Sequence, residues 1–196
     1  MSTYTHLAAA NAADADYFLN SVNMQATAYT LDETTPTTSG ARHVTVTHTS
    51  GDTTDTLGTR VVTGTDLSGQ VITETLTLSA DATVTGTRWF RTVTGAITSG
   101  WVIDGSEATE DTITIGYAAD ICVLDGPGRL EAIIVNTTAA GTIVVADSSG
   151  TIATLKSSIT EGHYEYDLTV CNLTVDLNAN SDVTIIHSNS MPHTYA

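Results

Sequence analysis

The chain has 196 residues and a lopsided charge, 22 Asp and Glu against 6 Lys and Arg, for a net of −16 near neutrality. A field of that sign repels nucleic acid and anionic membranes, so neither is an expected partner. Hydrophobic residues make up 41%, too many for a disordered chain, and the length allows one large or two small domains.

Threonine fills about a fifth of the chain, which suits strands with one wet face. Cys122 and Cys171 are the only cysteines and follow no metal or redox spacing. Two reduced, partly buried thiols are expected rather than a bridge. The first twenty residues, MSTYTHLAAANAADADYFLN, lack the basic start and long apolar run of a signal peptide. No stretch of about 18 apolar residues occurs, so no membrane span is expected and synthesis in a cytoplasm is. The sequons at Asn136 and Asn172 then read as chance matches.

Residues 1–34 read as an N-terminal arm. Leu7 to Asn20 carries Ala8, Ala9, Ala10, Ala12, Ala13 and Ala15 and is the one candidate helix. The tract Thr34-Thr35-Pro36-Thr37-Thr38-Ser39-Gly40 reads as a linker. Such an arm either frays or finds a face on a neighbouring subunit.

Residues 35–119 are expected to form a first β domain. Arg42–Thr49 alternates, with Val44 and Val46 on one face. The stretch Arg60–Leu78 reads as a long hairpin with Gly64 and Gly69 bracketing its bend. Ile72, Leu76 and Leu78 point one way, and Thr73, Thr75 and Thr77 the other. Glu74 falls on the apolar face, so it should pair, with Arg60 on the facing run or at a subunit contact. Trp89, Phe90 and Val93 are expected to plug the core. A strand over Ile97 to Ile103, an Asp104-Gly105 turn and a strand over Thr112–Tyr117 follow.

Residues 120–187 form the second expected β domain, and 188–196 a polar C-terminal tail. Asp125-Gly126-Pro127-Gly128 is the sharpest breaker, and no proline is expected inside a strand. Leu130–Asn136 reads as a strand covered on both faces. Asp147-Ser148-Ser149-Gly150 reads as a turn. Tyr164, Tyr166, Leu168 and Val170 alternate with Glu165, Asp167 and Thr169, and Asn178–Ser181 turns into a last strand, Asp182–His187. Turn signals every 8–12 residues give an all-β fold of two small antiparallel sandwich or barrel-like units.

Chemistry-bearing clusters are sparse. His43 and His48 lie five apart, so on one strand they face opposite ways and share no metal. Glu165 and Asp167 share a strand face, as acid/base work would need, but no desolvating neighbours are legible and a solvated face is expected. The acidic loops Asp52–Asp55 and Glu107–Asp111 invite Ca²⁺ but lack the order of a known calcium loop. There is no GxSxG, and Asp125–Arg129 has glycines without a following helix for a phosphate. No basic stripe with aromatics exists for nucleic acid. The expectation is a non-enzyme with no catalytic, cofactor-binding or metal-binding residue.

Two stretches carry a resemblance. Arg42–Thr47, Val61–Leu78 and Val84–Thr94 follow a pattern in which a GTDxxGxxxxE turn precedes an apolar strand and a TGTxxFxxV segment follows. This resembles small structural proteins of tailed bacteriophages. Gly128–His187, with its VADSSG hairpin, G-x-Y-x-Y strand and closing DVT strand, is similar to another phage β module. The resemblance implies a virion component, a head decoration or auxiliary capsid protein. Its expected partners are the major capsid protein and neighbouring copies in a homo-oligomer. Neck, tail and fibre proteins use similar modules, so an adhesin binding a host-surface ligand is the alternative, with Trp89 and Trp101 as stacking platforms.

Overall fold

The computed structural model describes residues 1–8, 13–24, 28–36, 39–51, 55–102, 111–177 and 181–189. Thirteen strands and no α-helix occur among them. Thus no helix among the described residues is long and apolar enough to cross a membrane. The fold is all-β and antiparallel throughout. Expected elements at Asp104-Gly105, Asn178–Asn180 and Ser190–Ala196 lie outside the described residues.

The chain divides into two compact units. One comprises Ala13–Pro36 and Arg42–Ala118, the other Met1–Ala12, Thr37–Ala41 and Ala119–Ala196. The expected arm, 1–34, is therefore shared between the two. Its first described strand is β1 (Thr3–Ala8) and its second β2 (Asp14–Asn23). The helix expected over Leu7 to Asn20 is replaced by these strands, with Ala9–Ala12 outside the described residues. The physical reason is tertiary. Alanine's helix preference is worth a few tenths of a kcal/mol to ~1 kcal/mol per residue. Leu7, Phe18 and Leu19 are each buried in a core, worth about 1.5–3 kcal/mol apiece.

The unit of Ala13–Pro36 and Arg42–Ala118 contains β2 and six further strands. These are β3 (Arg42–Thr49), β4 (Thr59–Thr65), β5 (Val71–Thr77), β6 (Thr83–Phe90), β7 (Thr92–Ser99) and β8 (Thr112–Tyr117). They form a four-stranded sheet, β2-β8-β3-β6, and a three-stranded sheet, β5-β4-β7. Phe18, Val44, Val46, Ile113 and Ile115 of the first sheet share one core with Val62, Leu76 and Val93 of the second, which makes a sandwich. Phe90 and Val93 plug this core as expected, whereas Trp89 is half-buried with its ring on His43, centroids 3.6 Å apart.

The β4–β5 hairpin forms in the register Thr65↔Val71 to Thr59↔Thr77. Asp66 closes it. Its Oδ1 accepts hydrogen bonds from Ser68 N (2.8 Å), Ser68 Oγ (2.7 Å) and Gln70 N (2.9 Å), while Gly69 takes φ +81°. Gly64 has a different role from the bend expected of it. It lies inside β4, and a Cβ there would sit 1.9 Å from the Thr92 carbonyl oxygen, so the close approach of β7 requires glycine.

The other unit contains β1 with β9 (Ile121–Val135), β10 (Ile143–Asp147), β11 (Gly150–Leu155), β12 (Gly162–Leu177) and β13 (Asp182–Ser188). They make one six-stranded sheet in the order β1-β13-β9-β12-β10-β11. Both halves of the long strands β9 and β12 supply one core: Ile121 and Leu124 with Leu130 and Ile133, and Val170 with Val175. A single sheet can enclose one core in this way only by curling, and bulges supply the bend. The expected breaker Asp125–Gly128 is such a bulge. β9 runs straight through it, Pro127 included, opposite the irregularity between Cys171 and Leu173. Gly126 has φ +89°, Asn172 has φ +58°, and Gly126 N donates to Asn172 Oδ1 at 2.7 Å. A bulge tolerates proline because the ladder is locally interrupted there.

Candidate functional site

The site is built on the face of this sheet that points away from its core. Register places four residues in one line across four strands: Tyr4↔Ile186, Ile186↔Ala132 and Ala132↔Glu165. Alanine at the centre of that line leaves a depression between larger neighbours. A second bulge deepens it. Pairing with β13 skips from Ala132 to Leu130, so Glu131 is the extra residue on β9. The shift also explains why Leu130, Ile133 and Val135 all reach the core while Glu131 does not. The strand expected to be covered on both faces is closed by the core on one face and largely covered on the other, where Ala132 is buried and Glu131 and Ile134 are half-buried.

The result is an open groove of about 500 Å³. Tyr4, Ile186 and Ala132 give it an apolar wall and floor, and Arg129, Glu131, His163, Glu165 and Asp167 give it a polar rim. Tyr4 is two-thirds exposed, the largest aromatic surface reaching solvent here. Arg129 forms an ion pair with Asp167. Asp167 takes φ +58°, where the β12 strand bulges between Glu165 and Leu168. Glu131 Oε2 accepts from Ser2 Oγ at 2.6 Å. Hydrogen bonds from Ser2 and Ser188 hold its carboxyl below the usual range. Glu165 has no hydrogen-bond or ion-pair partner among the described residues. Asp167 pairs with Arg129, and the charges of Arg129 and the N-terminal amine also favour ionised Glu131, which leaves Glu165 as the unmatched carboxylate of the groove.

Glu165 and Asp167 thus share a face as the alternation predicts, and both are exposed. The structure adds what alternation alone does not give, the partners from other strands. Tyr4 was hidden by the alanines that follow it, and Glu131 by a bulge that breaks the period. His163 was legible, since it continues the alternation of Glu165 and Asp167.

Other singled-out residues are structural. His48 and Asp111 are buried together, Nε2 and Oδ2 2.8 Å apart. His48 Nδ1 accepts from Asp81 N (3.1 Å), so Nε2 carries the proton and donates to Asp111, whose Oδ1 accepts from Gly51 N (2.6 Å). This carboxylate closes a loop junction, and with both oxygens occupied it is not a free calcium ligand. Asp52–Thr54 and Glu107–Glu110 of the acidic loops lie outside the described residues. His43 and His48 fall on opposite faces of β3, and no metal-ligating cluster of three occurs among the described residues. Trp101 is half-buried against the sandwich core, its Nε1 buried without a partner, which is no stacking platform. Cys122 and Cys171 are free thiols. Burial, with Asp125 nearby, pushes the Cys122 thiol up to about 12, so it is inert near neutrality.

Glu74 is paired, but not with Arg60. Its Oε1 accepts from Thr87 N (2.6 Å) and Thr87 Oγ1 (2.9 Å), and its Oε2 from Arg88 N (3.3 Å). A Cβ on Gly86 would sit 2.3 Å from Oε2, so glycine makes room for the carboxylate. Arg60 is fully buried and turns back on its own strand instead, Nη1 donating to Thr59 O at 3.0 Å. Burial lowers its guanidinium pKa, opposed by Tyr29.

No family model and no curated protein matches the chain. Among solved structures it is similar to the crystal structure of the major capsid protein P2 from bacteriophage PM2. The identity is 11%, covering 95% of this chain and 96% of that one, with a TM-score of 0.22. A likeness that loose supports no inference about this chain's groove or its role.

Proposed function

We propose that this chain is a non-enzymatic structural protein of a bacteriophage virion, a head decoration or auxiliary capsid protein that docks on the shell and bridges its subunits. The observation that carries the reading is the Glu74 clamp. The two segments that resemble phage structural proteins, GTDxxGxxxxE and TGTxxF, are here one physical unit. The glutamate that ends the first grips the Thr87 and Arg88 amides of the second, and Gly86 between them leaves it space. The pattern therefore marks an interlocked β module, not a chance run of Thr, Gly and Val.

The rest of the molecule supports the same role. The chain passes between its two units four times, so neither is a separable appendage. Both Asp-x-Ser-Gly turns are locked by their own aspartate, a rigid design suited to a static scaffold. Docking through the arm is not part of this proposal, because the described residues of 1–34 belong to the two units. Quantitative mass spectrometry of purified particles tests the role. The protein is expected at a fixed ratio to the major capsid protein. Its absence from particles would overturn the reading, and a ratio of a few copies per virion would shift it to the neck, tail or fibre.

A further inference from the structure

We infer that the groove on the six-stranded sheet receives a basic side chain, arginine or lysine, from a polypeptide of a different kind than this chain. The inference deepens the docking reading and rests on it only for where such a partner is found. Three features carry it. Glu165 stands at the end of the Tyr4–Ile186–Ala132–Glu165 line without a hydrogen-bond or ion-pair partner among the described residues. Arg129 is held by Asp167, and the N-terminal amine acts on Glu131, so neither is paired with Glu165. At the other end of the line Tyr4 offers an exposed aromatic ring, and between them the small Ala132 and the apolar Ile186 leave space for an aliphatic stem. An alkyl stem with a cationic head, between an aromatic face and a carboxylate, satisfies all three at once.

Charge also decides against a second copy as the occupant. Two chains of net −16 repel, and each has only six basic residues, of which Arg60 is buried and Arg129 lies in the groove. A basic segment of another chain meets no such penalty.

The test uses the full chain and two small probes, Nα-acetyl-arginine amide and its neutral isostere Nα-acetyl-citrulline amide, followed by NMR. The arginine probe is expected to shift resonances of Tyr4, Ala132, Glu165 and Ile186, and the citrulline probe to leave them in place. Glu165→Gln is expected to weaken arginine binding about tenfold, the loss of one charge-assisted hydrogen bond. Tyr4→Leu should weaken it about threefold or more through the lost ring. Glu161→Gln removes the same charge at an exposed position outside the groove and should change nothing. Shifts scattered over the acidic surface, equal binding of citrulline, or equal loss in Glu161→Gln and Glu165→Gln would each overturn the inference. The probes need no virion. Arginine binding by a protein missing from particles would therefore remove the docking role and leave the groove, and the converse would remove the groove alone.

Discussion

The two units each gather carboxylates, and they use them in opposite ways. In the sandwich, Asp111 is wholly enclosed, with His48 Nε2 on one oxygen and Gly51 N on the other. In the six-stranded unit, Glu131, Glu165 and Asp167 line an open groove and only two of the three are engaged. A carboxylate whose every acceptor site is filled by its own fold can only hold that fold together. One left open to solvent is available to a ligand and adds little to stability. Burial and partner count, not the local density of acidic residues, separate structural acid from functional acid here.

The sharpest way to break that contrast is to truncate the enclosed group. Asp111→Ala leaves the His48 N–H buried without an acceptor and takes away the acceptor of the Gly51 amide, and is expected to destabilise the protein by about 2–3 kcal/mol. Urea unfolding followed by circular dichroism reads this directly, and a loss under about 1 kcal/mol would show that the pair is solvated after all.

The Glu74 clamp is intermediate, since it is satisfied like Asp111 but only half-buried. Glu74→Ala should cost about 1–2 kcal/mol, the usual range for removing a capping acceptor. Gly86→Ala should cost a similar amount, because the new methyl group displaces the carboxylate from the same amides. If so, the double variant is no worse than the poorer single one, and the departure from additivity measures the clamp. Additive losses would mean that Gly86 serves the backbone and not Glu74.

Asp66 and Asp147 compare the two units at matched turns. Burial raises the Asp66 carboxyl, but hydrogen bonds from Ser68 and the Gln70 amide outweigh it and hold it below the usual range. At Asp147 the Ser149 hydroxyl leads and the result is the same. Each aspartate to alanine change should cost about 1 kcal/mol at neutral pH. The sign of the pH dependence follows from the depressed values. Each contribution is complete above the unfolded carboxyl value of roughly 4 and is lost as pH falls through the folded one. The gap between variant and parent melting temperatures should therefore close below about pH 4. A gap constant down to pH 2 would show that the serine and amide contacts do not depend on the charge.

Much of the fold was legible because strand alternation and turn chemistry are local. The β4–β5 hairpin, the core role of Phe90 and Val93, and the Asp147–Gly150 turn all follow from spacing and residue type. What escaped is non-local. Six alanines look helical until Leu7 meets β13 and Phe18 enters the sandwich core, and neither contact has a local signal. Pro127 reads as a stop unless the bulge opposite it is known. The groove escaped for the same reason. Glu165 and Asp167 were visible as a pair on one strand, whereas Tyr4 and Glu131 join them only through the register of β1, β13 and β9. Glu74 shows the middle case. Its place on an apolar face demanded a partner, but the partner was a pair of backbone amides that no charge pattern reveals.

The smallest effect is expected where the contrast between the units is most direct, at the Arg129–Asp167 pair. The side chains are about one-third and two-thirds exposed, so water screens their attraction. The substitution must respect the backbone. At φ +58° alanine would add strain of its own, whereas asparagine tolerates the left-handed region as aspartate does. Asp167→Asn therefore removes the charge alone and should change stability by under about 1 kcal/mol, less still in high salt. Its larger consequence falls on the groove, where Arg129 loses its counter-charge and becomes free to turn toward Glu165. A stability loss as large as that of Asp111→Ala would mean that the open carboxylates hold the fold as the enclosed one does, and the distinction between the two units would fail.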